Sequence, residues 1–155
     1  MTRKNTRSLT PPTGRAPATK ASIERAEATL GVRLPKALHD LLLASNGGIP
    51  SHACLPSEPN SWATDHVRVS SFLGIGHREG MDGELGSAYL IREWGYPKIG
   101  VVLADTPSAG EDVIMLDYRL CGTSGEPSVV FVEHDRRIIQ LASSFAKFWE
   151  QLRHC

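Results

Sequence analysis

The sequence predicts an α+β domain, with an N-terminal helical hairpin and a C-terminal helix packed on a mainly antiparallel sheet of about five strands. Three observations predict it. Apolar residues recur at helical spacing most clearly over residues 23–44 and 145–152. Between them, residues 99–139 form a run of short β-branched segments separated by turn residues. No strand–helix–strand alternation of the kind that builds a parallel sheet is present. A chain of 155 residues suits one domain that needs neither metal nor disulfide to fold.

The first 18 residues hold Pro11, Pro12 and Pro17, and their only large apolar side chains are Met1 and Leu9. Such a segment buries too little to offset its ordering entropy, so residues 1–18 are expected to be a disordered basic leader before a domain at 19–155. Thr19 or Ser22 is the expected cap of a first helix, and Ile23, Ala26 and Leu30 share one face of it. Gly31 stops it. Leu34-Pro35 opens a second helix carrying Leu38, Leu41, Leu42 and Ala44, and Asn46-Gly47-Gly48 ends that one. Residues 49–66, with Pro50, Pro56 and Pro59, read as an irregular loop anchored by Trp62.

Val67-Arg68-Val69 alternates and runs into Phe72-Leu73, which predicts the first strand. Five glycines between Gly74 and Gly86 predict a flexible stretch, followed by a short helix within residues 84–94 that ends at Gly95-Tyr96-Pro97. Strands follow at 99–103, 113–118 and 129–132, with a short fifth near 137–139. The closing helix starts near Ser143 or Ser144 and buries Phe145, Phe148 and Leu152. Trp62 and Trp94 are expected to fix loops against the sheet.

The formal net charge of zero conceals a split. Residues 1–20 carry five Lys or Arg and no acid, whereas the remainder carries twelve against all seventeen acids. An acidic body is a poor nucleic-acid binder, because phosphate neutralisation needs clustered cations. No apolar run reaches the ~20 residues of a membrane span, and the first 30 residues hold no secretory h-region. Cys54, Cys121 and Cys155 are scattered and odd in number, so no disulfide framework is expected and the reducing cytoplasm is the expected compartment.

Several pieces, in order and at compatible spacing, resemble a known group. They are Ile23-Glu24-x-x-Glu27-x-x-Leu30-Gly31-x-x-Leu34-Pro35 running into Asn46-Gly47-Gly48, then Tyr96-Pro97, then Gly110-Glu111-Asp112-x-x-x-Leu116-Asp117-Tyr118-Arg119. Val129-Val130-Phe131-Val132-Glu133-His134-Asp135 and Leu141-Ala142-x-Ser144-Phe145-x-x-Phe148 complete the set, over roughly residues 21–152. Together they resemble the SUKH superfamily, which includes fungal cell-wall-assembly regulators. The basic leader and the Pro-rich loop at 49–66 depart from the simplest pattern. The resemblance implies a protein-binding module and no enzyme. Bacterial members look largely like immunity proteins that bind a cognate toxin domain, often a nuclease. Fungal members are regulatory and scaffold-like. The expectation is therefore an immunity protein acting by occlusion, with a regulatory or scaffold module as the alternative.

The acids fit that expectation on separate grounds. Asp105, Glu111, Asp112, Asp117, Glu133 and Asp135, with Glu126, face only Arg119 within residues 105–135. Such a face could occupy the phosphate-binding cleft of a basic nuclease and steer its association. Acids also favour turns, so an ordinary solvated turn face is the competing reading.

Other chemistry finds little in the pattern. His52-x-Cys54 and His154-Cys155 are the only close His/Cys pairs, and neither stands in a CxxC or HExxH arrangement, so no metal is expected. Asp82-x-Glu84-x-Gly86 with Glu93 imitates a calcium loop, but Ser87 stands where the turn glycine belongs. Gly74-x-Gly76-x-x-x-Gly80 lacks dinucleotide-loop spacing. There is no GxSxG elbow, and a nucleophile would need Cys54 or Cys121 beside His134-Asp135 in space. No catalytic residue and no cofactor is expected.

Overall fold

A computed structural model describes residues 7–155, and the expectation for residues 1–6 lies outside it. Helix α1 (Lys20–Leu30) begins where the sequence predicts. Thr19 Oγ1 accepts from Ser22 N–H at 3.1 Å, while Ser22 Oγ accepts from Thr19 N–H at 2.8 Å, a reciprocal cap that satisfies two donors at the helix start. Gly31 ends α1 with φ 72°, and Pro35 leads into α2 (Lys36–Ala44). Glu27 holds the two helices together. Its Oε2 accepts from Leu34 N–H at 2.6 Å and lies 3.1 Å from His39 Nε2.

Residues 7–18 are docked, which corrects the expected disorder over that part of the leader. Strand β1 (Leu9–Thr10) pairs antiparallel with β2 (Ile49–Pro50), Ser51 N–H donates to Ser8 O at 2.8 Å, and Arg7 Nε donates to Leu152 O at 2.7 Å. Leu9 and Ala18 are buried. A low apolar content did not decide the outcome, because backbone pairing and one well-placed leucine supply the order. Gly48 makes room for it: a Cβ there would come within 2.1 Å of Thr10 O, and its φ is 112°.

The loop expected at 49–66 also contains a strand. β3 (Cys54–Pro56) pairs with β4 (His66–Arg68) as a separate two-stranded sheet. The single first strand predicted near 67–73 is thus split. β4 belongs to this small sheet, and β5 (Ser71–Phe72) belongs to the large one. Asn60 organises the loop between, with its Oδ1 accepting from Trp62 and Ala63 N–H groups, each at 2.9 Å.

Short helix α3 (Ser87–Trp94) leads into the meander β6 (Gly100–Asp105), β7 (Val113–Asp117), β8 (Ser128–Val132) and β9 (Ile138–Ala142). With β5 they make an antiparallel five-stranded sheet in the order β5-β6-β7-β8-β9. β9 runs on through Leu141 to Ala142. A bulge between Val102 and Ala104 interrupts the ladder, and Val102 N–H donates to Ser87 Oγ at 2.8 Å, tying the start of α3 to β6. Helix α4 (Phe145–Gln151), capped by Ser144, packs on β8, β9 and α2. Phe72, Phe145, Phe148 and Trp149 form an aromatic cluster with edge-on contacts from Phe72 at 5.8–6.4 Å between centroids. Phe145 and Phe148 are fully buried, so α4 is held by the core it completes. The Tyr118 hydroxyl donates to Arg33 O at 2.7 Å and fixes the helical hairpin to the far end of β7.

Cys54 and Cys155 are joined by a disulfide, against the expectation of none. They lie 101 residues apart, a separation that carries no signal in sequence. Cys121 is free.

Candidate protein-interaction surface

Strand register divides the six candidate acids between the two ends of the sheet. Asp105 pairs with Val113, and Val113 pairs with Val132, so the β6–β7 and β8–β9 turns share one end. Asp105, Glu111, Asp112, Glu133 and Asp135 gather there. Asp117 does not: it pairs with Gly100 and Ser128 at the opposite end. One continuous six-acid face is therefore not formed.

Three of the six are engaged inside the fold. Asp112 is buried, and its carboxylate accepts from the hydroxyls of Thr106 and Ser108, which close the β6–β7 turn. Glu133 is buried as well. It pairs with Arg137, and its Oε2 accepts from Ser61 N–H at 2.6 Å, pinning the β3–β4 loop to the sheet. Asp117 accepts from the Arg119 guanidinium at 2.8–3.2 Å and from its backbone N–H at 3.0 Å. Burial works against its ionisation, but the Arg119 hydrogen bonds and charge outweigh it and hold the carboxyl below the ordinary aspartate range.

What remains outward at the turn end is Asp105, Glu111 and Asp135, beside an exposed tryptophan. Trp94 keeps 44% of its surface in water, and its ring rests against Gly110. The sequence reading gave this side chain a loop-fixing role, and only its contact with Gly110 fits that. Arg136 holds the patch together, donating to the carbonyls of Trp94, Gly95 and Glu111. Its guanidinium stacks 4.7 Å from the Tyr96 ring centre. These bonds compensate its left-handed backbone (φ 71°), which costs a non-glycine residue about 1–2 kcal/mol. The Tyr96 hydroxyl donates to Gly110 O, and burial pushes its pKa up to about 12 against the pull of Arg136. Asp105 is exposed by area, yet desolvation along the β5–β6 edge pushes its carboxyl up, with a Ser71 hydrogen bond pulling back. Leu90, Trp94, Tyr96, Asp105 and Ala109 line a shallow depression of about 340 Å³. The arrangement is an exposed aromatic anchor with Asp105 in the same depression and Glu111 and Asp135 in the adjoining turns, and with Arg136 committed to carbonyls.

A second concave surface runs along the helical hairpin. Ile23, Val32 and Leu43 lie in a groove of about 670 Å³ among Lys20, Lys36 and Asp40.

Cys121 lies beyond Asp117 and His134 beyond Val132, at opposite ends of the sheet, and Cys54 is oxidised. Asp82, the first residue of the imitation calcium loop, is used to accept from Gly76 N–H at 2.9 Å. Among the described residues, no three or more His, Cys, Asp and Glu stand where they could hold a metal ion. No helix among them is long and apolar enough to cross a membrane.

A helical hairpin and terminal helix on an antiparallel meander define an α+β domain. A family model confirms the resemblance noted in the sequence: the SMI1 / KNR4 family (SUKH-1) matches residues 17–151. The chain belongs to this family. No curated protein and no solved structure gives a match.

Proposed function

We propose that this domain is an immunity protein: it binds a cognate toxin domain and neutralises it by occlusion, without chemistry of its own. Family membership supports a protein-binding role. The observation that carries the finer reading is Trp94, exposed beside Asp105, Glu111 and Asp135 at one end of the sheet. Tryptophan is the residue type most enriched at interface hot spots. Surrounding carboxylates select a basic partner, such as a toxin that itself grips phosphates, and speed its capture. The buried acids Asp112 and Glu133 serve this surface indirectly by fixing the two turns that present it.

The test is a pull-down of the chain from its own cell lysate at two salt concentrations, with bound proteins identified by mass spectrometry. A toxin domain recovered at low salt and lost at high salt supports the reading. Its absence at both removes it. A regulatory or scaffold module for an endogenous partner is the second reading, favoured by the hairpin groove with Ile23, Val32 and Leu43. A housekeeping protein whose recovery depends on that groove, and not on Trp94, moves the assignment there.

A further inference from the structure

The depression beside Trp94 holds an aromatic ring and a carboxylate that contacts inside the fold leave available. Helix α3 supplies Leu90 and Trp94 one turn apart, so both stand on one face, and both line the depression with Tyr96, Asp105, Ala109 and Val113. Gly110 sets the indole: a Cβ there would come within 3.1 Å of Trp94 Cη2 and Cζ3, and its φ of 95° suits glycine. The ring is held from that side, while 44% of the residue stays in water. Asp105 is the last residue of β6, across from Ser71 on β5 and Val113 on β7. Ser71 gives its carboxylate a hydrogen bond. Among the described residues no cation pairs with it.

We propose that this depression is a subsite for one arginine side chain of the partner protein, its guanidinium stacked on Trp94 and paired with the Asp105 carboxylate. The inference rests on the interface reading above and names the residue type that reading leaves open. A guanidinium is planar, so it can lie on an indole face and still present paired N–H groups to a carboxylate. A lysine ammonium is a strongly hydrated point charge and matches neither geometry as well. The depression is shallow, so it receives a side chain carried on another surface better than it encloses a free solute.

The charges around the depression fit a cationic occupant. Arg136 belongs to the same end of the sheet, but it lies over the Tyr96 ring at 4.7 Å and donates to the carbonyls of Trp94, Gly95 and Glu111. It therefore leaves Asp105 unpaired. Asp112 is occupied by the hydroxyls of Thr106 and Ser108, and Glu133 by Ser61 and Arg137, so neither competes for the incoming cation. Desolvation already disfavours the Asp105 charge and pushes its carboxyl up. A guanidinium seated beside it offsets that cost, a gain open only to a partner that supplies one. Leu90 and Ala109 offer apolar surface for the arginine methylenes to cover. Glu111 and Asp135, exposed in the adjoining turns, attract the cation from longer range.

The experiment titrates the isotope-labelled full chain with N-acetyl-argininamide at fixed ionic strength and follows it by two-dimensional NMR. The Trp94 indole N–H signal is assigned by its loss in Trp94→Leu, and signal dispersion reports the fold of every variant. The expected result is saturable movement of that indole signal and of the Ser70, Asp105 and Gly110 amides, with a Kd of about 1–10 mM. The neutral citrulline analogue and the lysine analogue should each bind at least fivefold more weakly. Asp105→Asn should weaken the arginine probe by as much, while Glu24→Gln, on α1, should bind as the native chain does. The proposal is overturned if the indole signal does not move saturably, if either analogue binds as well as the probe, or if Asp105→Asn binds unchanged. Free arginine binding at least tenfold more tightly than the blocked probe also overturns it, and makes the depression an amino-acid site. A toxin captured through Trp94 while the probe fails removes the arginine subsite alone. Probe binding where the pull-down recovers no toxin removes the immunity reading alone.

Discussion

Removing the Cys54–Cys155 cross-link by Cys155→Ser is the perturbation whose size follows most directly from the fold. The bond closes a loop of 101 residues in sequence separation. In the chain-entropy account, cross-linking a loop of that length removes roughly 16 cal/mol/K from the unfolded ensemble, about 4.7 kcal/mol at 25 °C. Native contacts change little in the variant, because Cys54 and Arg153 still exchange backbone bonds and Leu152 stays buried. For a domain of this size each kcal/mol moves the melting temperature by ~2–4 °C, so the variant should melt about 10–20 °C below the oxidised chain. The assay is thermal unfolding by circular dichroism in EDTA, with Cys121→Ser in both proteins to prevent exchange. Thiol titration of the unfolded Cys121→Ser reference, finding no free thiol, verifies that it is oxidised. A difference under about 3 °C would refute the reasoning, since it would mean that the closed loop constrains nothing the open chain explores.

Three further outcomes follow from particular contacts. Gly48→Ala places a Cβ against Thr10 O, so it should release the leader, expose Leu9 and open Arg7 and Arg15 to trypsin at rates at least tenfold above native. Glu133→Gln should cost about 1–3 kcal/mol in urea unfolding by weakening the buried Arg137 and Ser61 contacts, while Asp135→Asn, exposed in its turn, should change stability by less than about 0.5 kcal/mol. Because the Asp117 carboxyl is held below its unfolded value, its contribution is complete above about pH 4 and is lost as pH falls through the folded pKa. Arg119→Ala leaves burial unopposed and raises that pKa, so the stability gap between native and variant should be widest above about pH 5 and shrink toward pH 3, read from denaturant midpoints.

The legible part of the fold is the part that local chemistry writes. Gly31 and Pro35 mark helix ends where the sequence placed them, and Thr19 and Ser144 are each one of the two caps it offered. The β-branched runs from Val101 to Val132 gave the meander for the same reason. What was not legible depends on distant partners. Leu9-Thr10 becomes a strand only because Gly48 leaves a lane for it, and Cys54-Leu55-Pro56 only because His66-Val67-Arg68 folds back upon it. The acids show the limit most clearly. Sequence proximity grouped Asp112, Asp117 and Glu133 with their neighbours, but it could not show Thr106, Arg119 and Ser61 waiting to occupy them. Trp94 reads in the sequence as a loop anchor, and its 44% exposure was not legible because it depends on what packs against the ring. The His52-Cys54 and His154-Cys155 pairs were visible singly, and their meeting was not.

The function proposed for this domain is capture of a basic toxin through the Trp94 end of its sheet. It is tested most directly by the association kinetics of the native chain and Trp94→Ala with the toxin domain recovered in the pull-down, measured from low to high salt. The account predicts an association rate that falls at least tenfold over that range as the carboxylates are screened. It also predicts that Trp94→Ala weakens affinity by about thirtyfold or more, the loss of ~2 kcal/mol or more that marks a hot spot. A salt-independent rate together with an unaltered Trp94→Ala affinity would contradict it and place the interface elsewhere on the molecule.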